Sequence, residues 1–447
     1  MTKRLLLPML LLLGAGPLSG QALTLSEALR RADSAAFPNR MARAASAAAS
    51  ARAAGADQGV LPGLRAELGA VRTSDPLGAF GFLLRQRGVT PEAFDPAGLN
   101  RPTPRTDIGA AMVAEVPLLN LDAWAGRRAA RAAADAESAR EQWSATGVEL
   151  EVIRSYFGAV LAREQARVLA AADLAGQAHV RRAENALANG LVTRSDLLLA
   201  QVRLGDIATQ RLRADADAML ARQQLALVLG TPNDTAGALP SRIPGLATRE
   251  IAGSGTRADL SAIAAMVNAA SQEADRRSLA LLPRVNGFGR YEWHDASSPL
   301  AGKPMWTVGV MATWAPFSGG AELAARREAR ANATAARAGL AAAQGAAALE
   351  LASAESGVRV AEQALAIATR GTAQAAEAHR IVVRKYDGGL ATVAELLDAQ
   401  ATDLGAQLGE AKARHDLIVA IATVARLRGS DLSLLAQALD ASATNPE

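Results

Sequence analysis

The sequence contains no cysteine among its 447 residues, and only 3% of the residues are aromatic. Without cysteine the chain can form no disulfide, no thiolate nucleophile and no cysteine-ligated metal site, and no lipid can be attached to an N-terminal cysteine. Half of the residues are hydrophobic, and alanine supplies much of that fraction. A core made of alanine is thin, which favours helices packed closely side by side over a thick globular interior.

Long hydrophobic runs are also missing, because no stretch of 18 uncharged apolar residues occurs after residue 22. No helix of the mature chain is therefore expected to span a bilayer. The short apolar run Leu5–Leu13 follows Lys3 and Arg4 and precedes small residues near Ala22. This pattern predicts a secretory signal peptide at residues 1–22. Its removal lowers the formal charge from +4 to about +2, and the remaining charges are interspersed as on a solvated helix surface.

Catalytic and metal-binding motifs are absent from the sequence. The histidines show no HExxH spacing, and no GxSxG motif is present. The sequence therefore predicts neither an enzyme nor a metal site nor a cofactor. The four histidines are His179, His294, His379 and His415.

The most prominent feature of the sequence is a long internal repeat. GLVTRSDLLLAQ at residues 190–201 recurs as GLATVAELLDAQ at residues 389–400, with seven of twelve positions identical and an offset of 199 residues. The same offset aligns 117–230 with 316–429 without a gap, which predicts two copies of one structural unit. The expected segments are a first repeat at 23–230, a linker at 231–256, a second repeat at 257–429 and a C-terminal tail at 430–447.

Each repeat contains two segments with period-two hydrophobic patterning, which predicts strands. In one of these segments Trp306 and Trp314 share an apolar face, about 26 Å apart along a strand, close to the spacing of the two aromatic girdles of an outer-membrane barrel. Turn-rich loops are expected between the paired strands, at 73–106 and 294–304. The predicted strands are 63–72, 107–116, 284–293 and 305–315.

Each repeat then continues as a helical hairpin, predicted at 118–229 and 317–428. The first helix of each hairpin has about 70 residues and would reach roughly 100 Å. Gly190 and Gly389 suit the C′ position that ends a helix, and Thr193 and Thr392 suit the N-cap of the next one. The repeated stretch is thus a tight break at the far end of a long hairpin.

Four strands with apolar faces allow two interpretations. The alternation suits a sheet with lipid on one side and water on the other. An open sheet edge cannot sit in lipid, because each unpaired backbone group costs several kcal/mol. The sheet is therefore either completed by other chains in a membrane or part of a soluble sandwich.

With these features the chain resembles the TolC-like outer-membrane efflux protein family. The resemblance covers nearly the whole mature chain, and its motifs recur in the same order in both repeats. It rests on the duplicated GLVTRSDLLLAQ and GLATVAELLDAQ, on the strand-ending prolines of VPLLN and APFSG, on LPRVNGFGRY and on RADL.

The resemblance implies a homotrimer in which four strands from each chain close a twelve-stranded transmembrane β-barrel. The helices would form a trimeric α-barrel across the periplasm. Such a duct docks onto a periplasmic adaptor (membrane fusion) protein and an inner-membrane pump or ABC exporter. It exports drugs, metals, small metabolites or polypeptides without chemistry of its own.

The resemblance also implies roles for individual residues. The hairpin tips would bind the adaptor, and two acids on one helix face, Glu395 and Asp398, would line a periplasmic gate together with Asp196 and Tyr386. An arginine that holds the gate in some family members corresponds to Ala391 here, so that bridge is missing. The tip residues are Gly190, Leu191 and Thr193 in one hairpin and Gly389, Leu390 and Thr392 in the other.

Two questions stay open at the level of the sequence. The alternative function is a soluble periplasmic coiled-coil scaffold or adaptor protein, with the strands in a soluble domain. Within the duct interpretation, multidrug or metal efflux competes with type I protein secretion. The partner pump chooses most of the substrate, so the sequence of the duct does not identify the cargo.

Overall fold

The structure of the protein is a computed structural model. The predicted signal peptide, residues 1–22, lies outside the described residues, as does part of the predicted linker. The structure describes residues 23–232, 237–245, 255, 257–298, 301–317 and 319–444.

The described chain is mainly helical, with four antiparallel strands, as the sequence predicts. The strands are β1 Gly63–Thr73, β2 Arg105–Leu119, β3 Arg284–Asp295 and β4 Met305–Thr313. The helices are α1 Leu25–Ala35, α2 Phe37–Gly55, α3 Pro76–Arg85, α4 Pro96–Asn100, α5 Leu121–Ala188, α6 Arg194–Val228, α7 Ala258–Leu279, α8 Ala321–Asp387, α9 Val393–Leu427 and α10 Leu432–Thr444.

The strands form one sheet in the order β1-β2-β3-β4, so β1 and β4 are its edges. The expectation that Pro117 ends a strand is wrong, because β2 continues to Leu119. The register with β3 shifts between Pro117 and Leu119. Proline lacks the amide proton that a regular ladder needs, and an irregularity of this kind accommodates it within a strand.

The connection between β1 and β2 differs from the turn-rich loop expected at 73–106. It contains α3, a short 3-10 turn at Pro91–Phe94 and α4. Both helices have an aspartate at the N-cap followed by a proline, Asp75-Pro76 and Asp95-Pro96. The fixed φ angle of proline suits the first helical turn, and its missing N–H would have no intrahelical partner there. This local signal was available in the sequence.

The described chain divides into two compact units, and each combines segments from both halves of the sequence. The first unit takes in residues 1–44, 140–258 and 344–447. Its core packs α1 and α10 with parts of α5, α6 and α9 around the buried Tyr156 and Phe157. The Tyr156 hydroxyl donates to the Leu23 carbonyl at 2.7 Å, so a buried polar atom is satisfied.

The segment after Gly429 folds as α10 and packs against α1. The Asp440 carboxylate accepts hydrogen bonds from the backbone N–H groups of Leu25 and Ser26, at 2.9 and 3.0 Å. Two of the four unsatisfied amides at the start of α1 are bound in this way. The C-terminal segment is therefore part of the helical core.

The second unit, residues 45–139 and 259–343, holds the sheet and the helical segments next to it in sequence. Ala274, Ala329 and Ala333 form a small buried cluster, which matches the thin alanine packing expected from composition. Arg127 donates to Asp57 from Nε at 2.5 Å and from Nη2 at 3.2 Å.

Among the residues that the structure describes, no helix is long and apolar enough to cross a membrane.

Candidate functional site

The two helix breaks have the same backbone geometry. Gly190 and Gly389 have φ angles of 71° and 73°, in the left-handed region that L side chains disfavour. After the first break, Gly190 N–H donates to Leu187 O and Leu191 N–H to Ala186 O, both at 2.9 Å. This hydrogen-bond pair is the Schellman motif. The second break repeats it, with Gly389 N–H donating to Tyr386 O at 3.0 Å and Leu390 N–H to Lys385 O at 2.7 Å.

Each break is followed by a capping box. Thr193 is the N-cap of α6 and exchanges hydrogen bonds with Asp196, and Thr392 is the N-cap of α9 and does the same with Glu395. The Thr392 N–H donates to Glu395 Oε2 at 2.7 Å, and the Thr193 N–H donates to Asp196 Oδ2 at 2.9 Å. The T-x-x-D and T-x-x-E spacings are the sequence signature of this box.

The capping boxes keep both acids ionised. Hydrogen bonds from the Thr193 backbone, and then from its side chain, lower the pKa of Asp196. Hydrogen bonds from the Thr392 backbone and side chain lower the pKa of Glu395, and Lys385 adds a favourable charge. Each carboxylate thus both stabilises a helix start and places a negative charge at a hairpin tip.

The residue after each tip glycine is a leucine that points away from the protein. Leu191 is 78% exposed and Leu390 is 82% exposed. An exposed leucine is common on protein surfaces, but these two occupy equivalent positions of the same motif in two hairpins. They give each chain two matched apolar contact points.

The two tips pack together within one chain. Ala183 and Ala200 from the first hairpin form a buried cluster with Val393 and Leu397 from the second, and Tyr386 packs against it. Burial raises the pKa of Tyr386. The sequence predicts Tyr386 at the gate, and the structure places its side chain against this cluster.

An ion pair also joins the hairpins. Arg182 Nη1 on α5 lies 3.5 Å from Asp387 Oδ1 on α8, and both side chains are about half exposed. Sequence reasoning did not identify this pair, since the partners are more than 200 positions apart and neither belongs to the repeated motif. It lies beside the second break, which carries Ala391.

Asp398 lies one turn after Glu395, and both are exposed. The other side of this part of α9 is buried and carries Val393, Leu396 and Leu397. The i, i+3 spacing therefore places the two acids on one accessible helix face, as the sequence predicts.

The sheet has two chemically different faces. Ile108 and Met112 of β2 lie on the same face of the sheet as their register partners in β1 and β3. That face is almost entirely apolar and much of it is exposed. Its strongly exposed members are Leu64, Leu68, Met112, Tyr291, Trp306, Val308 and Val310.

The predicted interface aromatics both lie at this surface. Trp306 is 71% exposed and Trp314 is 61% exposed. Trp314 lies one residue beyond β4, which ends at Thr313 two residues before the predicted end. Its indole N–H donates to the Leu281 carbonyl at 3.1 Å, so the polar atom of the ring is satisfied and the ring stays outside.

The opposite face carries the charged and amide side chains. Arg290 on β3 pairs with Glu67 on β1 at 2.9 Å and with Glu292 at 2.6 Å. Asp107 and His294 are both buried, and His294 Nδ1 lies 2.7 Å from Asp107 Oδ2. These contacts connect three of the four strands through side chains as well as through the backbone ladder.

A model of the outer membrane efflux protein family matches residues 255–430, the part of the chain that includes the second predicted repeat. No curated protein sequence matches the chain significantly.

Solved structures share the fold over nearly the whole chain. The CmeC outer membrane channel of Campylobacter jejuni aligns with a TM-score of 0.79 at 16% identity and covers 98% of each chain. The outer membrane protein VceC of Vibrio cholerae aligns with a TM-score of 0.77 at 18% identity, covering 91% of this chain and 96% of VceC. The MtrE outer membrane channel of Neisseria gonorrhoeae aligns at 0.73 and 16% identity, covering 91% and 89%.

Proposed function

We propose that this chain, which resembles the TolC-like outer-membrane efflux proteins in sequence and fold, forms a homotrimeric duct through the outer membrane and periplasm. The observation that carries the proposal is the four-stranded sheet. It has one exposed apolar face, one charged face and two edges, β1 and β4, whose outer sides pair with no other strand in the described part of the chain. Lipid would contact the apolar face, and water in the lumen would contact the charged face.

The edges explain why several copies are needed. Backbone groups left unpaired at an edge in lipid cost several kcal/mol each, so the sheet must close on itself. Pairing β4 of one copy with β1 of the next around a threefold axis gives twelve strands and leaves no edge. The same threefold axis would bring the long hairpins together as a periplasmic tube.

The hairpin tips are the proposed contact with a periplasmic adaptor protein. The exposed Leu191 and Leu390 are apolar contact points on a rigid backbone motif, and a trimer would present six of them. Gly190 and Gly389 permit the backbone reversal, and Thr193 and Thr392 start the next helices. The remaining partner would be an inner-membrane pump or ABC exporter, and the cargo drugs, metals, small metabolites or polypeptides.

The proposed periplasmic gate lies beside the tips. Glu395 and Asp398 would place six carboxylates near the axis of the trimer, where they repel one another and attract cations. Asp196 and Tyr386 belong to the same region. Because Ala391 offers no charge, we assign the closing contact between hairpins to the Arg182–Asp387 ion pair.

Cell fractionation tests the duct against a soluble periplasmic scaffold. A duct is recovered from detergent-extracted outer membranes as a heat-modifiable oligomer, and it conducts ions after reconstitution into planar bilayers. N-terminal sequencing of the same material should begin at Leu23. Recovery of a soluble monomer by osmotic shock would instead support the scaffold.

Neutralising the gate should weaken cation block and raise single-channel conductance. The variant to use is Glu395→Gln with Asp398→Asn, because glutamine can still accept the Thr392 hydrogen bond and keep the helix start intact. The low pKa of Glu395 implies that wild-type block persists at mildly acidic pH. Asp206→Asn with Asp217→Asn, an equal loss of two charges at exposed positions of α6, is the control. Currents that match wild type in the double variant would remove the two acids from the gate.

A further inference from the structure

The segment between β1 and β2, residues 74–104, is a folded insert. Asp75 Oδ2 accepts from Gly78 N–H at 2.7 Å, and Asp95 Oδ2 accepts from Gly98 N–H at 2.9 Å, so both short helices are capped. Phe80 and Phe94 pack edge to face, with ring centroids 5.8 Å apart. The segment thus has internal contacts that hold a defined shape.

The insert is attached to the charged face of the sheet. The Gln86 amide donates to Thr106 O and to Asp107 Oδ1, both at 2.9 Å. Asp107 in turn contacts His294 at 2.7 Å. Asp107 is 5% exposed and His294 is 7% exposed, and α3 contacts both β2 and β3. Asp107 alternates along β2 with Ile108 of the apolar face, so the insert lies on the side that the proposed duct turns toward its lumen.

The attachment is at one end of the sheet. Asp107 is close to the start of β2, and His294 is close to the end of β3. The connection between β3 and β4 lies at the same end and is only residues 296–304. The first connection is the longer of the two, and its helix α3 contacts β2 and β3.

Three large apolar side chains of the insert are exposed. Leu77 is 82% exposed, Phe94 is 59% exposed and Leu84 is 53% exposed. On the lumen side these side chains have no lipid to contact. In the proposed trimer, the same insert of a neighbouring copy would offer these side chains an apolar surface.

The width of the proposed barrel determines how far three inserts would narrow it. A closed barrel of twelve strands spaced about 4.8 Å apart and tilted about 40° has a backbone radius of roughly 12 Å. A helix with its side chains is about 10 Å thick. One helix from each of three copies at the strand ends would leave little of that opening free.

We propose that residues 74–104 form a constriction at the outer mouth of the duct, in which the inserts of three copies contact one another through Leu77, Leu84 and Phe94. The Gln86–Asp107–His294 contacts hold each insert over the lumen. The inference rests on the proposed trimeric duct. It adds a second narrow point, separate from the gate at the hairpin tips.

The test replaces the insert with a tight turn. Thr73 and Arg105 are register partners, so an Asn-Gly turn can join them directly as a two-residue hairpin. The chain has no cysteine, so Met311→Cys on the charged face of β4 introduces a single thiol. Intact cells are then treated from outside with a small impermeant maleimide or with one carrying a polyethylene glycol chain of several kilodaltons. This readout does not depend on whether the gate at the tips is open.

We expect the bulky reagent to label the turn variant severalfold more than the chain with its insert. Leu77→Glu, which would bring like charges together while keeping the insert, should increase labelling as well, and Leu77→Met should leave it unchanged. Equal labelling by the bulky reagent with and without the insert would overturn the constriction and leave the duct standing. No labelling of either variant by the small reagent would show that Met311 does not line an open lumen, which contradicts the duct itself.

Discussion

Arginine in place of Val310 should abolish accumulation of the oligomer in the outer membrane. Val310 is 66% exposed near the middle of β4, on the apolar face of the sheet. An arginine on the lipid face near the bilayer midplane costs about 2–4 kcal/mol, and each of three copies would carry one. The amount of heat-modifiable oligomer in the outer-membrane fraction measures the effect.

Met311→Arg is the matched control for this change. Met311 is the next residue, is 53% exposed and lies on the charged face, where water would solvate an arginine. We expect this variant to reach the membrane at close to the wild-type amount. If the two variants accumulated equally, the two faces would not differ in environment and the sheet would not cross a membrane.

Gly230→Ala should destabilise the helical unit by about 3–5 kcal/mol, which is among the larger effects of single substitutions. Gly230 has a φ angle of 75°, and an added Cβ would lie 2.2 Å from the Ala35 carbonyl oxygen and 2.5 Å from its carbon. Backbone atoms cannot move aside as a flexible side chain can. The end of α1 would have to shift away from the end of α6. A fall in thermal midpoint measures the loss.

Gly190→Ala is the control variant that separates the cost of the steric clash at Gly230 from the cost of the left-handed backbone conformation. Gly190 has a φ angle of 71°, but no atom would lie within 4 Å of its added Cβ. Only the left-handed conformation is penalised there, by about 1–2 kcal/mol. Equal losses in the two alanine variants would show that the close approach of Gly230 to Ala35 contributes nothing.

The breaks at Gly190 and Gly389 were predictable because their causes are local. A glycine followed directly by leucine, with a threonine three residues after the glycine, favours a Schellman end and a new N-cap whatever surrounds it. The strand positions were predictable for a similar reason, since the alternation in 305–315 reflects two environments on two faces. β4 ends two residues early, where its partner strand β3 begins at Arg284 directly after Pro283, a residue with no amide proton for the ladder.

Other features depend on residues that are distant in sequence. The insert was expected to be a loop, although Asp75-Pro76 and Asp95-Pro96 are local helix starts. Its place on the charged face depends on Gln86 meeting Asp107 beside His294. Asp107 and His294 are far apart along the chain, so no local pattern brings them together.

The sequence by itself determined the two hairpins, their breaks and the four amphipathic strands, because backbone preference and hydrophobic period act over a few neighbouring residues. Only the tertiary structure decided which charges meet. It paired Arg182 with Asp387 and folded 74–104 over one face of the sheet. The reason is physical: charge pairing and burial depend on distances in space, and those distances are set by how the helices and strands pack.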